Sequence, residues 1–152
     1  MACRSMADAP PLDPERLWLV PRLERPGAEP RYLLVRWPDW PPPAMLSIVR
    51  PPDGDARAAV EDALHARMSV TCLEEPRVAR ERVPVRMRHP RMGGTGPGWL
   101  RAAAVLVEGE PQPDALIDAV VELTRDEALA QLETEVERRL LQAAVALFEE
   151  GA

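Results

Sequence analysis

Asp62 and His65 stand three residues apart between Ala56 and Met68, with Glu61 beside them and Asp53 a few positions upstream. On a helix that spacing puts Asp62 and His65 on one face. Carboxylates and an imidazole gathered in this way can hold a divalent cation or move a proton. The same residues equally suit the solvated face of an ordinary helix. A second concentration of chemistry runs from Arg77 to Arg101. Arg77, Arg80, Arg82, Arg86, Arg88, Arg91 and Arg101 stand against Glu81 alone, a local charge of +6 that leaves −12 for the rest of a chain whose net charge is −6. Guanidinium groups fork onto phosphate oxygens, and the amides of Gly93-Gly94-Thr95-Gly96 can approach an anion closely. Arg80, Arg82, Arg86, Arg88, Arg91, Gly93 and Gly94 are therefore the candidate anion-binding residues. The competing reading pairs these arginines with the acidic C-terminal part and gives the glycines to a hairpin.

Other chemistries find little support. Ser5, Ser47 and Ser69 lack the G-x-S-x-G context of an activated serine. Two histidines and two scattered cysteines, Cys3 and Cys72, do not make a zinc motif. The glycine run has neither the spacing nor the lysine of a dinucleotide or P-loop fingerprint. A pI near 5.0 argues against nucleic acid and anionic membrane as partners, and an aromatic content of 4% leaves few rings for stacking on bases. Trp37, Trp40 and Trp99 suit the core better than a ligand. All 19 basic residues are arginine, with no lysine and no asparagine, a pattern that coding bias in a GC-rich genome explains. No apolar run approaches the roughly 20 residues of a membrane span. No secretory signal is visible, and the unpaired thiols fit a reducing compartment, so a cytoplasmic location is expected.

The elements that must position these residues follow from periodicity. Residues 1–14 read as a flexible tail and 15–152 as one domain, since a chain of this length supports one compact core. Leu17 to Val20 and Arg31 to Trp37 flank a Pro/Gly loop and predict a hairpin. Trp37 to Pro43 (WPDWPPP) predicts a stiff connector, because proline removes donors. Met45 to Val49 predicts a strand. Ala56 to Met68 carries Ala56, Ala59, Val60, Ala63, Leu64 and Met68 at helical spacing, with Asp53 or Asp55 available as a cap. Val70 to Leu73, Val78 and Val83 to Met87 predict β segments; alternate spacing would put Arg80 with Arg82, and Arg86 with Arg88, on one strand face. Trp99 to Val107 is the strongest strand. Thr124 with Glu127, and Thr134 with Glu137, are capping boxes opening two helices; the second places Val136, Leu140, Leu141, Ala144, Leu147 and Phe148 on one face. The fold class is α+β with a mixed sheet.

This order resembles the Nudix (MutT-like) hydrolase superfamily. Arg31-Tyr32-Leu33-Leu34-Val35-Arg36 is similar to the strand before the Nudix loop, and Ala58-Ala59-Val60 with two charged residues after it to the Nudix helix. Val121-Glu122-Leu123, Asp126-Glu127-Ala128-Leu129 and Glu137-Arg138 look like the closing segments. The resemblance spans roughly Leu17 to Phe148 and implies an α/β/α sandwich, with one amphipathic helix after the N-terminal strands and a C-terminal helix. Laid on the family's box, Asp53 falls on the first glutamate and Asp62 on the glutamate after arginine. Glu61 replaces that arginine, His65 and Ala66 replace the paired glutamates, and Ser47 and Met68 replace the two glycines. The box is degenerate. The resemblance thus implies either a domain that binds a phosphorylated, nucleotide-like small molecule or a protein partner without efficient hydrolysis, or a divergent metal-dependent pyrophosphohydrolase. In the second case Asp53 and Asp62 are the metal ligands, Asp62 and His65 the catalytic pair, and magnesium or manganese the cofactor. A homodimer stays open on general grounds alone.

Overall fold

Leu17, Leu19 and Leu23 alternate with Trp18, Val20 and Arg22, so a strand through them presents two different faces. The computed structural model describes residues 14–51, 56–88 and 94–150. Their order is β1 (Glu15–Leu23), β2 (Arg31–Trp37), β3 (Trp40–Ala44), β4 (Leu46–Val49), α1 (Ala56–Met68), β5 (Thr71–Cys72), β6 (Arg77–Val78), β7 (Val83–Arg88), β8 (Thr95–Glu108), β9 (Ala119–Leu123), α2 (Arg125–Gln131) and α3 (Glu135–Glu150). β1 lies parallel to β8 over its whole length, from Glu15 opposite Trp99 to Leu23 opposite Val107. β5, β6 and β7 follow one another antiparallel along the far edge of β8, and β9 pairs antiparallel with β2.

The two faces of β1 build two cores. Leu17, Leu19 and Leu23 join Leu33, Val35, Ala103, Val105 and Val107 on one side, closed by Val60, Leu64 and Met68 of α1. Val20 joins Leu34, Leu100, Ala102 and Ala104 on the other, closed by Ala128 of α2 and by Leu140, Leu141, Ala144 and Phe148 of α3. Helix, mixed sheet and helices form the expected α/β/α sandwich. Leu17 and Leu19 are fully buried, so truncating either to alanine would cost about 2–5 kcal/mol.

The hairpin of β1 and β2 shares only the pairs Arg22–Tyr32 and Leu23–Arg31. Past them the strands part; β3 pairs antiparallel with β2 and β4 antiparallel with β1 in the opening. Here the expected connector at Trp37 to Pro43 proves instead to hold a strand. The β3 pairs fall at Trp40 and Ala44, on either side of Pro41, Pro42 and Pro43, so the ladder asks no N–H of the prolines. Arg36 Nη1 donates to the Pro41 carbonyl at 2.6 Å. Pro38 and Asp39, the latter at φ 63°, make the reversal.

The helices end and begin for visible reasons. Thr124 accepts from the Glu127 amide while the Glu127 carboxylate accepts from the Thr124 amide, a complete capping box for α2. At α3 the Thr134 hydroxyl accepts from the Glu137 amide at 3.1 Å and donates to Glu137 Oε1 at 3.0 Å. Glu137 is buried, and burial pushes its carboxyl up against the opposing pull of those Thr134 bonds. No helix among the described residues is long and apolar enough to cross a membrane.

α1 stops where Ser69 takes φ 60° and its amide donates to the His65 carbonyl at 3.1 Å. Left-handed backbone costs a non-glycine residue about 1–2 kcal/mol, while glycine returns part of that as unfolded-chain entropy. Ser69→Gly is therefore expected to stabilise the chain by about 0.5–1 kcal/mol and raise Tm by about 2 °C in a thermal melt. A fall in Tm would show that the serine side chain contributes more than its backbone costs.

Candidate functional site

α1 buries Val60, Leu64 and Met68 against the sheet, which turns Asp62, His65 and Ala66 outward, all three exposed. Asp62 and His65 do share a face, as their spacing predicts. The neighbouring Glu61 is taken up by Arg57, whose Nε donates to Glu61 Oε1 at 2.8 Å one turn earlier. Met68, standing where the family pattern has a glycine, is wholly buried. Ser47, standing for the other glycine, lies on β4 opposite Trp18, and its hydroxyl accepts from Arg16 at 3.3 Å. Magnesium requires a near-octahedral set of oxygens. The described residues do not supply such a set. Ala66 has no donor atom, and no group of three or more His, Cys, Asp or Glu able to hold a metal ion occurs among the described residues. Asp53 lies outside the described residues. Burial pushes the Cys72 thiol up and Glu61 adds to the effect against the opposing pull of Arg57, which disfavours the thiolate.

The arginine segment divides. Arg86 and Arg88 lie on one exposed face of β7, as expected. Arg80 and Arg82 do not share a strand face; both are in the loop before β7. The physical reason is that Ala79 is tied at both ends, its amide to the Ala102 carbonyl at 2.8 Å and its carbonyl to Arg101 Nε at 2.7 Å. The chain then leaves β8 and rejoins it only at Val83. Arg82 stacks on Trp99, its guanidinium carbon 4.3 Å from the ring centre. Arg77 is committed to the α3 side, 5.8 Å over the Phe148 ring, with Arg22 at 5.1 Å over the same ring. Arg86 reaches the Thr95 carbonyl and hydroxyl at 3.5 Å. The segment meets the C-terminal helix with reversed sign, through Glu81 and Arg139. Arg91 and Gly93 lie outside the described residues.

The glycines serve the ribbon of β7 and β8. Gly94, at φ 67°, immediately precedes β8. Gly96 and Gly98 are strand residues opposite Met87 and Val85. A Cβ on Gly98 would sit 2.6 Å from the Met87 sulfur, so close packing of Met87 explains that position.

A cavity of about 280 Å³ opens at the start of α1, lined by Arg50, Arg57, Val60, Glu75, Pro76 and Val78. Sequence reasoning missed it, since its residues come from the end of β4, from α1 and from the β5–β6 loop; the one available signal was an arginine directly after a strand and another at a helix start. Glu15 stands behind it. Its carboxylate accepts from Arg50 Nη1 at 3.2 Å and pairs with Arg101 Nε at 3.3 Å, while Oε1 is buried without a hydrogen bond. Register places Glu15 opposite Trp99, Trp99 opposite Pro84, and Pro97 and Thr95 opposite Arg86 and Arg88. All of these alternate onto the α1 side of the sheet. Arg50, Arg101, Arg82, Arg86 and Arg88 therefore line one face, from the cavity to the ribbon.

No protein-family model and no curated protein matches the sequence. Solved structures do. A NUDIX hydrolase of Listeria monocytogenes is 7% identical, with 91% of this chain and 97% of that one covered at a TM-score of 0.68. The NUDIX domain of Shewanella oneidensis NrtR, solved with ADP ribose, is 15% identical over 94% and 96% of the two chains, with a TM-score of 0.61. A C. elegans Ap4A hydrolase is 14% identical over 90% and 99%, with a TM-score of 0.55. What they share with this chain is the arrangement of strands and helices.

If Met87 packing is the reason for Gly98, Gly98→Ala should lower stability by about 1 kcal/mol as Met87 leaves its rotamer. In a Met87→Ala background the same change should be neutral or stabilising, because only the glycine entropy remains. Equal losses in both backgrounds, measured by denaturant titration, would assign the glycine to something other than Met87.

Proposed function

We propose that this chain, whose fold is that of the Nudix hydrolases, binds a phosphorylated, nucleotide-like small molecule on its α1-side face and does not hydrolyse it efficiently. The convergence of Arg50 and Arg57 on one cavity at the start of α1 carries this reading. A guanidinium offers five donors in a planar fork, of which Arg50 commits Nη1 to Glu15. α1 has no acidic residue in its first turn, and the positive end of its dipole faces the same place. Arg86 and Arg88 extend the basic surface along the same face. The outward side of α1 supports the second half of the reading: Glu61 is engaged by Arg57, and Ala66 stands where a metal site would need oxygen. A Nudix-fold domain solved with ADP ribose gives a precedent for a phosphorylated ligand on this scaffold.

The second reading is a divergent pyrophosphohydrolase. It is favoured by one observation, the common exposed face of Asp62 and His65. Magnesium or manganese would then rest on Asp62 and Asp53.

The two readings separate in one experiment. The chain is incubated with magnesium or manganese and a panel of nucleoside diphosphate compounds, and phosphate release is followed alongside thermal shift. We expect Tm to rise by several degrees with at least one compound at about one hundred times its Kd, with no phosphate released. That rise should vanish in Arg50→Ala and shrink in an Arg86→Ala, Arg88→Ala double variant. Turnover that disappears in Asp62→Ala would overturn the binding reading, as would a Tm that no compound moves.

A further inference from the structure

Among the described residues, the cavity at the start of α1 offers a nucleobase no ring to stack on. The segment between Pro51 and Ala56 is Pro-Asp-Gly-Asp, which supplies none either. The ring of Trp99, on the same face of the sheet, has the Arg82 guanidinium over it at 4.3 Å. Bases are ordinarily held by stacking on such a ring or between apolar walls. Its volume of about 280 Å³ also falls short of the roughly 300–1,000 Å³ of ordinary small-molecule sites.

What the cavity does offer is two kinds of polar group set against each other. Arg50 and Arg57 are donors only, and Glu75 is an acceptor only. Glu75 is exposed and has no partner among the described residues. A bare phosphate would be drawn to the guanidiniums and carries no sugar to reach that carboxylate. A ligand carrying an anion at one end and hydroxyl donors at the other satisfies both. Val60, Pro76 and Val78 give the carbon skeleton an apolar wall between the two ends. Glu15 holds Arg50 from behind, which fixes the orientation of the fork before any ligand arrives.

From this arrangement we infer that the cavity selects a sugar phosphate group, with phosphate on Arg50 and Arg57 and sugar hydroxyls on Glu75, and leaves any attached base outside and unread. The inference rests on the proposal that the α1-side face binds a phosphorylated ligand, and it narrows what part of that ligand is recognised.

Calorimetric titration of the full chain with ribose 5-phosphate, adenosine monophosphate, ADP ribose and inorganic phosphate tests it. Ribose 5-phosphate and adenosine monophosphate should bind within about threefold of each other, and inorganic phosphate about tenfold more weakly, since it has no sugar to span from the guanidiniums to Glu75 and the apolar wall. Glu75→Gln should remove most of that tenfold preference for ribose 5-phosphate over inorganic phosphate. Its Tm should match the parent, because Glu75 is exposed and has no partner among the described residues. A tenfold or larger advantage of adenosine monophosphate over ribose 5-phosphate would overturn the inference, as would a Glu75→Gln variant with unchanged preference. Tight binding of ADP ribose with none of ribose 5-phosphate would sink the inference while leaving the α1-side binding face standing. Silence with all four probes would remove both.

Discussion

The parallel register of β1 on β8 is the constraint from which the rest of the structure follows. Nine consecutive residues, Glu15 to Leu23, face Trp99 to Val107, and strict alternation sends Leu17, Leu19 and Leu23 to α1 while Val20 goes to α3. A slip of one residue would exchange these sets and put Arg16, Arg22 and the Trp18 indole into the core beneath α1. Because parallel strands cannot be joined by a tight turn, everything between them is crossover: β2, the β3–β4 insertion, α1, and the three strands along the far edge of β8. The proposed binding face is therefore a by-product of one long-range pairing. Glu15, its first residue, is where the apolar alternation gives way to charge.

At that end of the sheet several arginines gather around the carboxylate of Glu15, whose Oε1 is buried. Glu15 pairs with both Arg50 and Arg101, Arg82 covers Trp99, and Arg86 with Arg88 continues beyond the end of β1 on the β7–β8 ribbon. On the Nudix fold this lies beside the helix whose outward positions are Asp62, His65 and Ala66. The proposed binding role follows from that balance. Fixed guanidiniums can hold phosphate without any cation, whereas hydrolysis by metal would need several oxygen ligands together, and α1 has Ala66 at one of those positions.

How much of this was legible beforehand depended on whether a feature is local. α1 runs from Ala56 to Met68 as its periodicity predicts, because a buried i, i+4, i+8 row of Val60, Leu64 and Met68 needs only its own segment to be seen. The capping box at Thr124, the closing residues of α3 and the shared face of Arg86 and Arg88 were readable for the same reason. The Nudix-like arrangement of elements was legible from their order. The strand within Trp37 to Pro43 was not, since proline's cost depends on which residues of the partner strand it meets, and β2 meets only Trp40 and Ala44. Arg80 and Arg82 left the sheet because Ala79 is tied to Ala102 and Arg101, contacts more than twenty positions away. The cavity was invisible on the same ground: Arg50, Arg57 and Glu75 become neighbours only when β8 brings the β5–β6 loop beside α1.

The central claim is that α1 works beside fixed arginine charge and holds no metal of its own. An anomalous difference map from a crystal soaked in manganese addresses it most directly. The account predicts no ordered ion within bonding distance of Asp62 or His65, whatever density arises elsewhere. A well-occupied manganese bonded to the Asp62 carboxylate would contradict it and return the helix to metal chemistry.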